Sequence, residues 1–92
     1  MITAIVFVKA DVARIPEVAD AIAGLDGVSE VYSVTGQIDL IALVRVSDHD
    51  DVARVVADQL NKVAGVLETE THIAFRTYSK HDLEAAFSLG LD

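Results

Sequence analysis

One turn with a neighbouring carboxylate is the part of this 92-residue sequence best suited to bind a small charged ligand. The segment SVTGQIDLIALVRV, residues 33–46, breaks at Thr35 and Gly36 and restarts as an apolar run with Asp39 at its beginning. A tight turn at Gly36 exposes backbone N–H groups that can bind an anion, because no side chain covers them. The Asp39 carboxylate can bind a cation. Ordinary hairpin chemistry accounts for the same residues, so the structural and the binding interpretation both stay open.

The other polar residues lack a comparable arrangement. His49, His72 and His81 fall on a helix cap, an edge strand and the tail, and no two of them have the spacing of helical metal ligands. The acidic residues Asp48, Asp50 and Asp51 lack the glycine and the spacing of a calcium loop and suit a helix N-terminus. Glu68 and Glu70 are interpreted as charges that discourage pairing at a sheet edge. The sequence contains no nucleophile–base pair, phosphate loop or Gly-x-Ser-x-Gly motif, so we expect no metal, no cofactor and no enzyme.

Composition excludes several classes of partner. The chain has 15 acidic and 7 basic residues and a net charge of −8, and its bases are scattered singly. Nucleic acids and anionic membranes both require clustered bases, so direct binding to either is not expected. Cysteine is absent, and no apolar run approaches the roughly 20 residues that cross a bilayer. The N-terminus lacks the basic lead of a signal peptide, which favours a cytoplasmic protein.

An internal repeat organises the chain. Residues 4–35 align with residues 42–73 at an offset of 38 without a gap, and Gly27-Val28 then aligns with Gly65-Val66. Each half consists of an apolar, β-rich run, a stretch with helical spacing of apolar residues, and a second β-rich run. Each half is therefore predicted to form the same strand–helix–strand unit.

Start and stop signals bound the two predicted helices. Pro16 suits the first turn of the first helix, and Gly27 ends it. Ser47 or Asp48 caps the second helix, and Gly65 ends it. The second strand is expected to run through Thr35 and the fourth, within the segment VLETETHIAFRTY, through Tyr78.

The order βαββαβ predicts an α+β, ferredoxin-like fold with a four-stranded antiparallel sheet ordered 4-1-3-2 and two helices on one face. The first and third strands are apolar on both sides, as central strands require, and the second and fourth are more polar. The helices leave one apolar face open, and a second copy of that face is its simplest cover. We therefore expect a two-fold dimer.

The chain is predicted to be a single domain over residues 1–92, whose tail, residues 78–92, forms a short helix capped at Ser79.

These segments together resemble the effector domain of the Lrp/AsnC transcriptional regulators, also called the RAM domain. The resemblance covers about residues 2–77. It rests on Gly27-Val28, Thr35 and Gly36 with Asp39 in the pattern T-G-x-x-D, the apolar strand that follows, Gly65-Val66, and Thr69 with Thr71 in the pattern T-x-T. Full-length members carry an N-terminal helix-turn-helix domain, so the chain resembles a stand-alone effector module.

The resemblance implies dimers that assemble into a ring of dimers and bind an amino acid or analogue between dimers. Carried over position by position, the implied effector-binding residues are Val34, Thr35, Gly36, Asp39, Thr69 and Thr71. In this interpretation the exposed N–H groups at Gly36 bind the ligand carboxylate, and Asp39 binds the ammonium group. The threonine hydroxyls add hydrogen bonds.

Three functions follow as alternatives. The first is an oligomerising, ligand-sensing module that modulates transcription through partners, such as a full-length Lrp/AsnC regulator, rather than by binding DNA. The second is a subunit that only assembles with such a regulator and has a purely structural hairpin. The third is a small ferredoxin-like enzyme, which would need polar groups in a cavity that the central strands do not supply.

Overall fold

The computed structural model describes residues 1–80, and the helix expected in the C-terminal tail lies outside the described residues. Its four strands are β1 (Ile2–Ala10), β2 (Val28–Ser33), β3 (Leu40–Val46) and β4 (Val66–Ile73). The two α-helices are α1 (Ile15–Ala23) and α2 (His49–Val56), and short 3₁₀ turns cover Val12–Arg14 and Leu60–Lys62. Within this part of the chain, no helix has the length and apolar character that crossing a membrane requires.

The strands form one antiparallel sheet in the order β2-β3-β1-β4, which confirms the predicted order read from the opposite edge. In its centre, Val6 of β1 lies opposite Ala42 of β3 on one side and Thr71 of β4 on the other. The two strands predicted to be central are central, because burial on both faces requires apolar residues at successive positions.

The hydrophobic core lies between the sheet and both helices. Val6 and Ala42 are fully buried, as are Val18 and Ile22 of α1 and Val55 of α2. Since side chains alternate along a strand, these sheet residues all belong to the same face. Both helices therefore pack on one face of the sheet, as the topology predicts.

Local signals place the helix starts where the sequence indicated. Pro16 lies in the first turn of α1, where its missing N–H removes no hydrogen bond. Asp48, one of the two predicted caps, is the N-cap of α2, and its Oδ1 accepts a hydrogen bond from the Asp51 N–H at 3.0 Å. Both observations confirm the predictions for the starts of the helices.

The predicted helix ends were too late. The helix α1 ends at Ala23 rather than at Gly27, and the N–H groups of Leu25 and Val28 then bond to carbonyls three residues back. Such tighter turns carry the chain toward β2 while Leu25 still packs against the core.

The second half repeats this arrangement. The helix α2 ends at Val56, and the apolar stripe continues through a 3₁₀ turn in which Leu60 is fully buried. The N–H groups of Val63 and Val66 bond to carbonyls three residues back, at the positions that the offset of 38 predicts. Helical periodicity in the sequence could not separate α-helix from this tighter turn, since both place apolar residues on one side.

Gly27 and Gly65 each pack against the helix of the opposite half. Their φ angles are +95° and +98°, a left-handed conformation that favours glycine. A Cβ atom at Gly65 would lie 2.6 Å from Val18 Cγ2, and one at Gly27 would lie 2.8 Å from Val55 Cγ2. The two glycines therefore serve close approach between a loop and a helix, in addition to ending the preceding segments.

Two strands are shorter than predicted because their partners end. The strand β2 stops at Ser33, since the Val34 N–H donates to the Asp39 carbonyl oxygen at 3.0 Å and closes the hairpin. The strand β4 stops at Ile73, and the Ala74 N–H donates to the carbonyl oxygen of Thr3 at 2.9 Å, close to the start of β1. Beyond that point only Ile2 of β1 and Met1 before it remain beside the chain.

Candidate functional site

The loop between β2 and β3 presents free backbone donors. Gly36 has a φ of +109°, and no atom lies within 4 Å of the position that a Cβ would occupy there. Within residues 1–80, the N–H groups of residues 35–38 donate no hydrogen bond to the protein. Exposed, unpaired N–H groups in a turn are donors for an anionic ligand group. The glycine is therefore required by the loop conformation and leaves the loop open.

The Asp39 carboxylate is already partly used by the fold. Its Oδ2 accepts a hydrogen bond from the Ala10 N–H at 2.9 Å in a half-buried position. The last paired residues of β1 and β3 are Val8 and Leu40, so Asp39 supplies an acceptor just past the end of the ladder. In the described part of the chain, Oδ1 accepts no hydrogen bond and remains available to a ligand.

A second contact ties the same loop to β1. Lys9 Nζ donates a hydrogen bond of 3.4 Å to the Gln37 carbonyl oxygen. Lys9 lies opposite Glu68 of β4 in the strand register, yet no ion pair joins the two within residues 1–80. The ammonium group is instead directed to the loop, and the Glu68 carboxylate is left without a basic partner among these residues.

The loop forms one wall of an open groove of about 1150 Å³. The other walls are the end of β1 with the turn that follows it, and the beginning of β4. Of the six residues predicted for an effector site, the groove brings together Gly36, Asp39 and Thr69. It is lined by carboxylates from all three walls and by Lys9. The carboxylates belong to Asp11, Asp39, Glu68 and Glu70.

The two predicted threonines of β4 face the helices. Thr69 and Thr71 lie opposite Val8 and Val6, which are buried under the helices, so all four share that face. Thr69 Oγ1 donates a hydrogen bond of 2.6 Å to Asn61 Oδ1 on the same side of the sheet. Thr71 is exposed and does not line the groove.

The remaining two predicted residues lie next to the groove rather than in its lining. Val34 is half-buried at the base of the hairpin, and Thr35 is exposed beside Gly36. The sequence interpretation missed the groove residues from β1 and β4. It treated Glu68 and Glu70 as edge charges and gave no role to Lys9, Val12 or Leu67. The available signal was the strand order, which places the end of the first strand beside the beginning of the fourth.

The rest of the open sheet face carries aromatic and charged contacts. The rings of Phe7 and His72 meet edge to face with centroids 5.1 Å apart, and His72 Nε2 lies 2.6 Å from Glu70 Oε2. On the other edge, the Glu30 carboxylate raises the pKa of the Tyr32 hydroxyl. Among residues 1–80, no three histidine or acidic side chains are grouped closely enough to hold a metal ion.

Comparison with known proteins identifies the domain. The family model of the Lrp/AsnC ligand-binding domain matches residues 3–83. The chain belongs to the Lrp/AsnC ligand-binding domain family. An HTH-type transcriptional regulator from Pyrococcus horikoshii is 43% identical over 61 residues, which cover 66% of this chain and 41% of that protein. At the level of the family, the relatives of this Lrp/AsnC domain are transcriptional regulators with a ligand-binding domain rather than enzymes.

Solved structures agree with the Lrp/AsnC fold. The crystal structure of a protein from Thermus thermophilus has a TM-score of 0.82 and 45% identity, over 87% of this chain and 100% of that one. The L-methionine complex of a transcriptional regulator from Neisseria meningitidis has a TM-score of 0.76 and 19% identity, over 85% and 52% of the two chains. The match to the Pyrococcus regulator likewise leaves more than half of that protein uncovered.

Proposed function

We propose that the groove beside the β2–β3 loop binds a free amino acid or a close analogue. One observation carries this proposal. Unpaired backbone N–H groups of the loop and the Asp39 carboxylate, whose Oδ1 has no partner within residues 1–80, lie at the same groove. An amino acid carries a carboxylate and an ammonium group on one carbon, and these two sets of protein groups complement it. The ligand-binding family of this domain and the L-methionine held by the Neisseria regulator support this ligand class.

Each end of the ligand has a partner in this arrangement. The loop N–H groups around Gly36 bind the ligand carboxylate, and Asp39 Oδ1 binds the ammonium while Oδ2 keeps its bond to Ala10. Exposed apolar side chains of Val12 and Leu67 offer a surface to the ligand side chain. Thr35 and Val34 flank the loop and support it. Thr69 lines the groove, but its hydroxyl donates to Asn61, and Thr71 lies outside the lining, so we assign neither threonine a direct ligand contact.

Assembly is the second part of the proposal. Ile5, Phe7, Ile41 and Leu43 stay half-buried on the sheet face that the helices leave open. A second copy placed sheet on sheet would remove this apolar surface from water and give a two-fold dimer. Such dimers then associate into a ring of dimers, and ligand binding near the seams shifts this association.

Regulation is proposed to act through protein partners. The chain has a net charge of −8 and resembles a domain of HTH-type regulators, so a full-length Lrp/AsnC regulator with the same interfaces is the partner we propose. Contact with DNA would come from that regulator and not from this acidic chain. Such a role places the protein in the cytoplasm and gives it no enzymatic activity.

The hydrogen bond between Asp39 and Ala10 favours a second candidate function. It shows that Asp39 has a structural task even without a ligand. In that case the hairpin serves the fold, and the protein is an assembly subunit for hetero-oligomers with a full-length regulator. The two functions differ in whether any small ligand binds the groove.

A thermal-shift panel of the twenty amino acids tests the first function. A ligand that binds the native state alone raises the melting temperature, and at 100 times its Kd it stabilises by about 2.7 kcal/mol. Asp39→Asn is expected to weaken binding at least tenfold, because it removes the charge. Asp26→Asn is the matched control, since Asp26 is exposed and does not line the groove. No shift with any amino acid at millimolar concentration would contradict ligand binding and leave the assembly function.

A further inference from the structure

An aromatic segment follows β4 and extends beyond the sheet. We call residues 75–78, with the sequence Phe-Arg-Thr-Tyr, the arm. Phe75 is 100% exposed and Tyr78 is 81% exposed. With residues 1–80, the arm forms no hydrogen bond or ion pair, and the last tie to the sheet is the bond from the Ala74 N–H. Two large aromatic side chains with this exposure are typical of a segment that packs on another molecule.

The groove has exposed apolar surface of its own at a different place on the molecule. Val12, in the turn after β1, is 81% exposed, and Leu67, at the beginning of β4, is 62% exposed. Both residues line the groove, together with carboxylates that outnumber the single basic side chain there. A neutral amino acid would cover only part of this combined apolar and acidic surface. The groove is therefore suited to a partner that is both aromatic and basic.

We propose that the arm of one copy docks in the groove of a second copy. The arm carries two aromatic residues and Arg76, and it contains no acidic residue in a chain whose net charge is −8. Phe75 and Tyr78 would cover Val12 and Leu67. Aromatic and arginine side chains are enriched in the buried centres of protein interfaces.

Arg76 has a suitable partner in the groove. Glu68 has no ion pair within residues 1–80, because Lys9, which faces it across the strands, bonds to the loop carbonyl instead. A guanidinium group that reaches Glu68 would form a charge-assisted hydrogen bond at the edge of the apolar contact. This partner, a second copy of the chain, goes beyond the amino-acid ligand and does not depend on it.

The arm cannot make this contact within its own chain. Leu67 and Ala74 are separated by seven residues of extended strand, which is about 23 Å. The four residues of the arm span at most about 14 Å when fully extended. A contact between an arm and a groove therefore joins two copies of the chain. Every copy carries one arm and one groove, so the contact either closes reciprocally in a two-fold pair or repeats head to tail in a ring or filament.

Sedimentation equilibrium of the full chain without any amino acid tests the proposal. The wild-type chain is expected to self-associate, and the double variant Phe75→Ser, Tyr78→Ser is expected to weaken that association at least tenfold. Arg76→Glu and Glu68→Lys should each weaken it as well, through repulsion of like charges. Combining both in one chain should restore it, since the pair is then reversed. Lys62→Glu is the control with the same change of charge, on an exposed residue outside the arm and the groove.

Several results would overturn the proposal. A wild-type chain that remains a monomer at every concentration would do so. So would arm variants that associate as the wild type does, or a charge-reversed double variant that fails to recover. Urea unfolding of each variant serves as the folding control. Substitutions at these exposed positions should leave the free energy of unfolding unchanged. Amino-acid binding without arm-dependent association would leave the proposed function standing and reject this inference alone.

Discussion

The two carboxylate oxygens of Asp39 have different roles: one stabilises the fold, and the other is a candidate ligand-binding group. Its Oδ2 pairs with the Ala10 N–H, where β1 continues past the start of β3, and its Oδ1 faces no donor within residues 1–80. Ala10 is only 2% exposed, so its N–H has little access to water once the carboxylate is removed. The two possible roles of Asp39 can be separated by substitutions that keep or remove an oxygen acceptor.

The first stability prediction concerns this bond. Asp39→Ala is expected to lower the free energy of unfolding by about 1–3 kcal/mol, because it leaves the Ala10 N–H buried without a partner. Asp39→Asn keeps a carbonyl acceptor in the same place and should cost less than half as much. Urea unfolding at neutral pH measures both. Equal losses for the two variants would show that charge, and not the hydrogen bond, stabilises this position.

At the scale of elements, each loop that follows a helix packs on the helix of the other half. Gly65 approaches Val18 of α1 and Gly27 approaches Val55 of α2, so the internal repeat is also a symmetry of the packing. The N–H of Asp11 donates to the Gly65 carbonyl oxygen, and the N–H of Arg45 donates to that of Gly27, both at 2.8 Å. These glycine loops therefore connect the helix layer with the ends of the central strands.

Gly65→Ala is predicted to destabilise the protein strongly. The positive φ costs roughly 1–2 kcal/mol for an L-residue, and overpacking against Val18 adds about 1–3 kcal/mol. Gly36→Ala is the control, since Gly36 has a similar φ and open space around it. Its free energy of unfolding should fall only by the cost of the positive φ. Thermal or urea unfolding measures the difference. Equal losses at the two sites would mean that the contact with Val18 relaxes without cost.

At the scale of the whole molecule, the sheet is covered on one side only. Its open face presents Ile5, Phe7, Ile41 and Leu43 between polar edge strands. Apolar groups in one continuous patch of this kind mark an interaction surface in a chain of this size. The sheet-on-sheet dimer uses this face, and the groove adjoins it because Phe7 belongs to both, whereas the arm lies past the other end of β4.

Ile5→Asp is predicted to weaken the sheet-on-sheet dimer at least tenfold, because it would bury an unpaired charge in the interface. Ile73→Asp is the control. Ile73 is 39% exposed on the edge strand and lies opposite Ala4, which faces the helices. Sedimentation velocity over a range of concentrations gives the dimer fraction of both. A dimer that tolerates Ile5→Asp would place the interface elsewhere on the molecule.

Much of the fold was readable from local pattern. The apolar character of β1 and β3 on both faces identified the central strands, and Pro16 and Asp48 marked the starts of the helices. These features depend on neighbours within a few residues, so the sequence contains them directly. The ends of α1 and α2 were misplaced, because the tighter turns that follow also keep apolar residues such as Leu60 against the sheet.

The sequence by itself determined the strand order, the helix starts, the two halves and the loop at Gly36 with Asp39 beside it. The tertiary structure decided the composition of the groove, since it brings Val12, Gly36 and Leu67 together from three separate segments. It also decided that Thr69 faces the helices and that Lys9 turns to the loop and leaves Glu68 unpaired within residues 1–80. These outcomes depend on strand register and on competition between distant partners, and neither is encoded in any one stretch of sequence.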